Sequence, residues 1–295
     1  MQTLNLKTKI RSRLIKVKNN FKLGRCVTFI IFSIYSFIML YALVWAVISS
    51  LKSHIEFMIK PNDLPEKWLF ENYAEAFKLL KVSGNSLFVM LFNTVWYVTG
   101  ASFISTAVSS MTAYVLARYT FKGRNIMMAV QFGILMIPIY GSTSAGYKLI
   151  MDLGIYDSPL YLVKSASAQG QIFFIMMTFF STLPKAYEEA AIIDGAGHLT
   201  VFLRIMIPMA MGPLLSIFIL CFIGGWNDYY TAMVYLPSYP TISSGLYIYE
   251  KVSQFNMNKP VYFAGIIMCA IPPMILFAIF RDKVMTNVTM GGIKG

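Results

Sequence analysis

Between two strongly apolar stretches, residues 184–213 form a polar island whose chemistry is concentrated in Glu188, Glu189, Ala190, Ala191, Asp194 and Gly195. Carboxylates set close together on a short helix, with small alanines between them, suit the recognition of a partner. They do not suit catalysis: His54 and His198 are isolated, and no nucleophile, paired acids or metal-ligand spacing accompanies them. Pro184 is placed to open a helix, with Ser181 or Thr182 available as its cap. Gly195 is placed to close it, because glycine takes left-handed dihedrals without a Cβ clash. A second short helix follows, in which Leu199, Phe202, Leu203 and Met206 recur at i, i+3, i+4 and i+7 and lay an apolar stripe on one face. Pro208 and Pro213 are expected to stop it. Two short helices hinged at a glycine, outside the bilayer but tethered to spans at both ends, can turn movement of a bound partner into movement of those spans.

The elements that must position this island are membrane spans. The chain is 57% apolar and only 13% charged over 295 residues, against about 25% charged in an ordinary soluble domain. Apolar runs near the ~17–25 residues needed to cross hydrocarbon occur at Cys26 to Ile48, Asn85 to Val108, Met127 to Gly141, Gly170 to Leu183, Leu214 to Tyr235 and Val261 to Phe280. The expectation is an all-α polytopic membrane protein with six transmembrane helices, those around Met127 and Gly170 being shorter and interrupted.

Charge sets the orientation. Lys7, Lys9, Arg11, Arg13, Lys16, Lys18, Lys22 and Arg25 precede the first run with no acid among them, which the positive-inside rule places in the cytoplasm. Six spans return the C-terminus to the same side, where Arg281, Lys283 and Lys294 agree with it. The layout expected is a basic N-terminal segment 1–25, a six-span domain 26–283 and a cytoplasmic tail 284–295. Within the domain, 184–213 is a cytoplasmic loop, and 49–84 and 236–260 are outer loops. The net charge of +12 reads as topology and attraction to anionic membrane lipid, with no nucleic acid partner. The first run exceeds the ~7–15 residues of a signal h-region, so it reads as a retained anchor. Ahead of it, Ile10, Leu14, Val17 and Phe21 are spaced for an interfacial helix in the inner headgroup layer, the alternative being a disordered basic topology signal.

Cys26, Cys221 and Cys269 have no paired spacing and read as small apolar side chains. No G-x-x-x-x-G-K-[ST] phosphate loop is present, so any ATP work belongs to a partner. Polar residues inside spans are costly and point to function. Asp228 leads these translocation-path candidates, with Asn227 beside it and Asn93 and Gln131 behind; the alternative for Asn227 and Asp228 is a cap or bond at the span end. Pro138 and the pair Pro272 and Pro273 are expected to bend the third and sixth spans. Tyr73, Ala76, Phe77 and Leu80 mark a short surface helix in the first outer loop. In the last outer loop Tyr239, Tyr247, Tyr249 and Phe255 read first as a headgroup-depth belt, and second as faces that stack on sugars.

Glu189-Ala190-Ala191, three residues, then Gly195, with Ile205 and Pro208 beyond, resemble the "EAA" loop of membrane subunits of bacterial ABC importers. Asn85-Ser86, Ala113-Tyr114 through Arg118-Tyr119, Phe121 to Arg124, Trp226-Asn227-Asp228 and the terminal Gly291 to Gly295 extend the resemblance to the carbohydrate branch of these permeases, and within it to the maltose-type "G" subunit. The resemblance implies a type I ABC importer permease fold, with Glu189 to Gly195 as a coupling helix seated in an ATPase groove. Glu188, Glu189 and Asp194 then offer carboxylates to a basic groove, while Ala190 and Ala191 permit close approach. It also implies a tail, including Gly292, Lys294 and Gly295, that reaches toward the ATPase. Its partners are a second permease subunit, a cytoplasmic ATPase dimer and an external solute-binding protein. No cofactor belongs to this chain; ATP and Mg sit on the partner ATPase. The implied setting is a bacterial plasma membrane, and the implied solute is an oligosaccharide or another sugar, with other polar solutes behind it. An ion-coupled secondary transporter is the rival, disfavoured because no inverted repeat is visible and the island is left unexplained. A membrane-embedded enzyme is disfavoured by the absence of a catalytic set.

Overall fold

A computed structural model describes residues 2–136, 143–167, 170–253 and 257–290, and among these it is helical without a strand. The chain divides into two compact units, residues Met1–Asn72 with Asn258–Ala264, and Tyr73–Met257 with Gly265–Gly295.

The first unit is built on α1 (Gln2–Ser50), a single helix of 49 residues. The basic N-terminal segment is thus continuous with the first span, neither a separate interfacial helix nor unstructured. From Gly24 to Ser50 the helix is apolar and none of its most hydrophobic window is buried within the chain. After α1 the chain turns into α2 (His54–Ile59), capped by the Ser53 side chain on the Glu56 amide. Lys52 is completely buried, and its ammonium donates to the carbonyls of Lys60 at 2.7 Å and Pro61 at 3.1 Å. That cation ties off the carbonyl-rich end of α2, the favoured place for positive charge. The Asn72 amide likewise donates to the carbonyls of Ser50 and Lys52. Trp45, Phe57 and Phe263 form an aromatic cluster with centroids 5.3–6.0 Å apart.

The second unit is organised around α4 (Leu87–Arg118), 32 residues long. Before it comes α3 (Glu71–Leu79), in which Ala76, with Leu80 just beyond, is buried while Phe77 stays exposed. After it come α5 (Arg124–Met136), α6 (Thr143–Asp152), a 3-10 turn (Pro159–Ser165) and α7 (Gln171–Thr182). At 12 residues, α7 is shorter than the ~20 residues that cross a bilayer unaided. Pro138 lies outside the described residues.

Beyond α7 the chain forms α8 (Ala186–Ile193), α9 (His198–Val201), a π-turn (Phe202–Met206) and α10 (Ile207–Met209), then α11 (Met211–Asn227) and α12 (Tyr229–Tyr235). The segment His198–Met209 meets α11 at a bend of 77° centred on Ala210. The helical run from His198 ends at Met209, one residue past Pro208, with Ala210 as its cap, and Pro213 sits in the first turn of α11, where a missing N–H costs nothing. The fifth run is broken at Asp228, between α11 and α12. Then follow α13 (Ile242–Val252) and α14 (Lys259–Met290), in which Pro272 and Pro273 are carried inside one unbroken helix. Among the described residues three helices are long and apolar enough to cross a membrane, Gly24–Ser50, Leu87–Arg118 and Lys259–Arg281, and the bent pair can supply a fourth. Within the second unit α4 packs against α7, α11, the 3-10 turn and α13.

Candidate functional site

Residue 186 begins α8, one turn of chain after α7 ends. Ser181 and Thr182 do not cap it. Their hydroxyls donate back to the carbonyls of Met177 and Phe179, as serine and threonine do late in a helix, and Lys185 takes the N-cap place without a side-chain bond. The other end follows the sequence: Gly195 has φ +82°, and the amides of Gly195 and Ala196 donate to the carbonyls of Ile192 and Ala191 at 2.9 Å.

The acidic residues do not act as one group. Glu188 turns inward, its carboxylate accepting from Arg118 Nε at 2.8 Å, with the two side chains only 15% and 3% exposed. Arg118, the last residue of α4, also donates to the carbonyls of Leu183 at 2.7 Å and of Phe180 and Pro184 at 3.4 Å. One guanidinium therefore satisfies the open C-terminal carbonyls of α7, pairs with the first turn of α8 and anchors both to α4. Ala191 is buried as well. Glu188 and Ala191 hold the helix on; Glu189, Ala190, Asp194 and Gly195 are the exposed members of the motif. Sequence spacing does not pair Arg118 with Glu188, although an arginine closing a span near an acidic loop is a usable signal.

The segment after the glycine is rooted by a different face from the one its spacing suggests. Val201, Phe202 and Met206 are buried, whereas Leu199 is 64% and Leu203 54% exposed. The π-turn widens the helix over Phe202–Met206 and displaces the α-helical stripe. The buried residues join Tyr114, Phe173, Met176, Phe180, Ala191 and Ala210 in one apolar cluster where α4, α7, α8 and α11 converge. Tyr114 packs on Phe180 and Phe202, and its hydroxyl meets that of Tyr119 at 3.2 Å; Tyr119 in turn meets His198 Nδ1 at 3.1 Å. His198 is thus tethered at the head of α9.

The polar candidates inside the helices separate. Asp228 caps α12, accepting the Thr231 amide at 3.0 Å, and also lines a cleft of about 270 Å³ with Tyr97, Ser102, Ser105, Ser165 and Ser167. Asn227 does not face that cleft; it is exposed and donates to the Ile223 carbonyl of its own helix. Asn93 is buried, donating to the Pro240 carbonyl and accepting from Trp96, so it fastens the segment before α13 to α4. Thr94 does the same by accepting the Ile242 amide. Gln131 on α5 keeps Oε1 buried with no hydrogen-bond partner among the described residues. Two of the loop aromatics are occupied: Tyr247 stacks on Tyr229 at 4.3 Å and Tyr239 meets Trp96 edge-on. Phe255 and the tail residues Gly292, Lys294 and Gly295 lie outside the described residues.

Helices long and apolar enough to cross a membrane, with a short exposed helix anchored to them by a buried arginine, define an integral membrane protein. The chain belongs to the family of binding-protein-dependent transport system inner membrane components, whose profile matches residues 17–286. It is therefore an inner-membrane permease of the ABC transporter type. The diacetylchitobiose uptake system permease protein NgcG of Streptomyces coelicolor is 28% identical over 262 residues, covering 88% of this chain and 85% of that protein. The trehalose/maltose transport system permease protein MalG of Thermococcus litoralis is 26% identical, covering 88% and 92%. In fold, the chain is similar to a subunit in the crystal structure of a bacterial ABC transporter involved in the import of the acidic polysaccharide alginate, with TM-score 0.75, 22% identity and 88% and 96% of the two chains covered.

Proposed function

We propose that this chain is one of two permease subunits of an ATP-driven, binding-protein-dependent importer for an oligosaccharide or other sugar. The exposed face of α8 carries the reading: Glu189 and Asp194 project carboxylates and Ala190 leaves room for close approach, while Glu188 and Arg118 fasten that helix to α4. An ATPase that grips this face moves α4 and α7 with it. ATP and Mg are bound on the ATPase chains, and this subunit performs no chemistry. Closure of the ATPase pair drives alternating access, provided ATP binds one of the two states better, since a ligand indifferent to both shifts neither. The sugar assignment is supported by relatives whose names specify diacetylchitobiose, trehalose/maltose and arabinooligosaccharides.

Six spans with both termini in the cytoplasm are supported by which loops touch. Arg118 bonds to Glu188 and Tyr119 to His198, all in segments assigned to the inner face. Asp157 accepts from the amide and hydroxyl of Ser238, both in segments assigned to the outer face, where the solute-binding protein docks. The apolar surface of α1 then meets lipid or the second permease. The test is uptake into vesicles holding all partners: ATP-dependent accumulation of sugar that ionophores do not abolish is expected. Glu189→Lys is expected to insert normally but lose the ATPase on purification, and full retention of ATPase and transport in that variant overturns the coupling role.

A further inference from the structure

We propose that residues 53–70, which fold back beside the C-terminal end of α1, form a plate that seats in the headgroup layer of the bilayer with its apolar face in lipid. The inference rests on the membrane setting of α1 and not on the transported solute. All of the plate belongs to the first unit. In α2, Ile55, Met58 and Ile59 stand at i, i+3 and i+4 and are 71%, 60% and 70% exposed, so they share one face. Phe57 lies on the opposite side of the helix, packed on Trp45 of α1 and on Phe263. Leu64, Trp68 and Phe70 add three large apolar side chains, each more than half exposed.

The span sets the depth of this plate. From Gly24 to Trp45, α1 covers about 32 Å at 1.5 Å per residue, close to the ~30 Å of hydrocarbon, and tryptophan favours the boundary with the headgroups. Residues 24–44 are exposed, whereas from Trp45 onward the helix is partly covered or buried. The plate supplies that cover. The Trp45 indole donates to Asn62 Oδ1 at 3.1 Å, and the Leu69 amide donates to the Leu51 carbonyl at 2.9 Å, which holds Trp68 and Phe70 on either side at the span's end. The Glu66 amide on Glu56 Oε1 at 2.6 Å keeps the loop folded against α2. The apolar face is thus turned away from α1 at the level where the span leaves the hydrocarbon, as in helices that lie in the interface. Charge points to insertion and not to electrostatic attraction: Glu56, Asp63 and Glu66 slightly outnumber Lys60 and Lys67, and Lys60 is paired with Glu66 at 3.1 Å. A soluble partner that came and went would leave six large apolar side chains in water whenever it departed. The bilayer beside a span is there at all times.

The experiment uses the full chain, with the subunits that purify with it, in phosphatidylcholine vesicles. Cys26, Cys221 and Cys269 are replaced by serine, accompanying subunits are likewise freed of cysteine, and an environment-sensitive fluorophore is attached at Met58→Cys, at Ile59→Cys, or at Asp63→Cys, a charged exposed position of the same loop. Because all three side chains are exposed, the labels leave the packed side of the plate intact. At residues 58 and 59 the emission should shift to the blue and be quenched several-fold more by a lipid carrying a doxyl group near the headgroup end of its acyl chain than by aqueous iodide, with the reverse order at residue 63. Adding anionic phosphatidylglycerol should leave that pattern unchanged. Iodide quenching at residues 58 and 59 as strong as at 63 places the face in water and overturns the proposal. A label at 58 or 59 that neither quencher reaches shows that another protein, such as a second permease, covers the face, and lipid quenching that requires phosphatidylglycerol shows electrostatic attachment; either result overturns apolar insertion.

Discussion

Arg118 shows how one side chain determines what a motif offers. Its guanidinium donates to Glu188 and to three carbonyls, with almost no solvent around it. Removing one partner of such a buried pair costs about 3–5 kcal/mol, because the other charge is left stranded. Arg118→Met is therefore expected to lower the melting temperature of the purified complex sharply and to loosen α8. The double variant Arg118→Met with Glu188→Met should be less damaged than the sum of the singles, with a coupling of about 0.5–3 kcal/mol. Strict additivity in that cycle would show that the pair does not anchor the helix. Lys52 is a parallel case in the first unit. Lys52→Met leaves the Lys60 and Pro61 carbonyls unbonded and should cost about 1–3 kcal/mol, read as earlier proteolysis of the segment around α2.

At the scale of elements, two glycines make opposite demands. Gly195 needs its backbone: φ is +82°, and nothing stands within 4 Å of the point a Cβ would occupy. Gly195→Val should strain the turn by about 1–2 kcal/mol and uncouple ATPase activity from transport, while Gly195→Asn, which tolerates the left-handed region, should be milder. Equal activity in both would show that backbone conformation is not what the position demands. Gly245 needs space instead, since a Cβ there would lie 2.1 Å from Met90 Sδ where α13 crosses α4, and Met90 is itself 1% exposed. Gly245→Ala should lower folded yield, and adding Met90→Ala should restore it. The π-turn belongs to this scale too. The periodicity of Leu199, Phe202, Leu203 and Met206 presumes a constant 3.6-residue pitch, and the widened turn moves Leu199 and Leu203 to the surface.

At the scale of the whole molecule, the arrangement of loops on two faces is open to direct measurement. In a background lacking native cysteines, Glu189→Cys should react with a membrane-impermeant thiol reagent only from the cytoplasmic side, and Ser238→Cys only from the outside. Labelling of both from one side would contradict the six-span topology. Packing also explains why α7 can be short: it is covered by α4 along Phe173, Met176 and Phe180, each fully buried, so it is held by protein and need not match the bilayer on its own.

Composition, charge placement and the EAA motif were legible because each is local: hydropathy follows the thickness of hydrocarbon, lysines and arginines report the side on which they stay, and a glycine's left-handed turn depends on its own backbone. The helical class, the membrane setting and the glycine that ends α8 were readable on those grounds. The inward turn of Glu188, the buried face of the π-turn and the role of Asn93 were decided only in the tertiary structure, because their partners lie far along the chain, 70 residues away for Arg118 and Glu188 and 147 for Asn93 and Pro240. The cleft is the extreme case. Its serines, Tyr97 and Asp228 come from distant parts of the chain, and no spacing along it could announce that packing would bring them to one space.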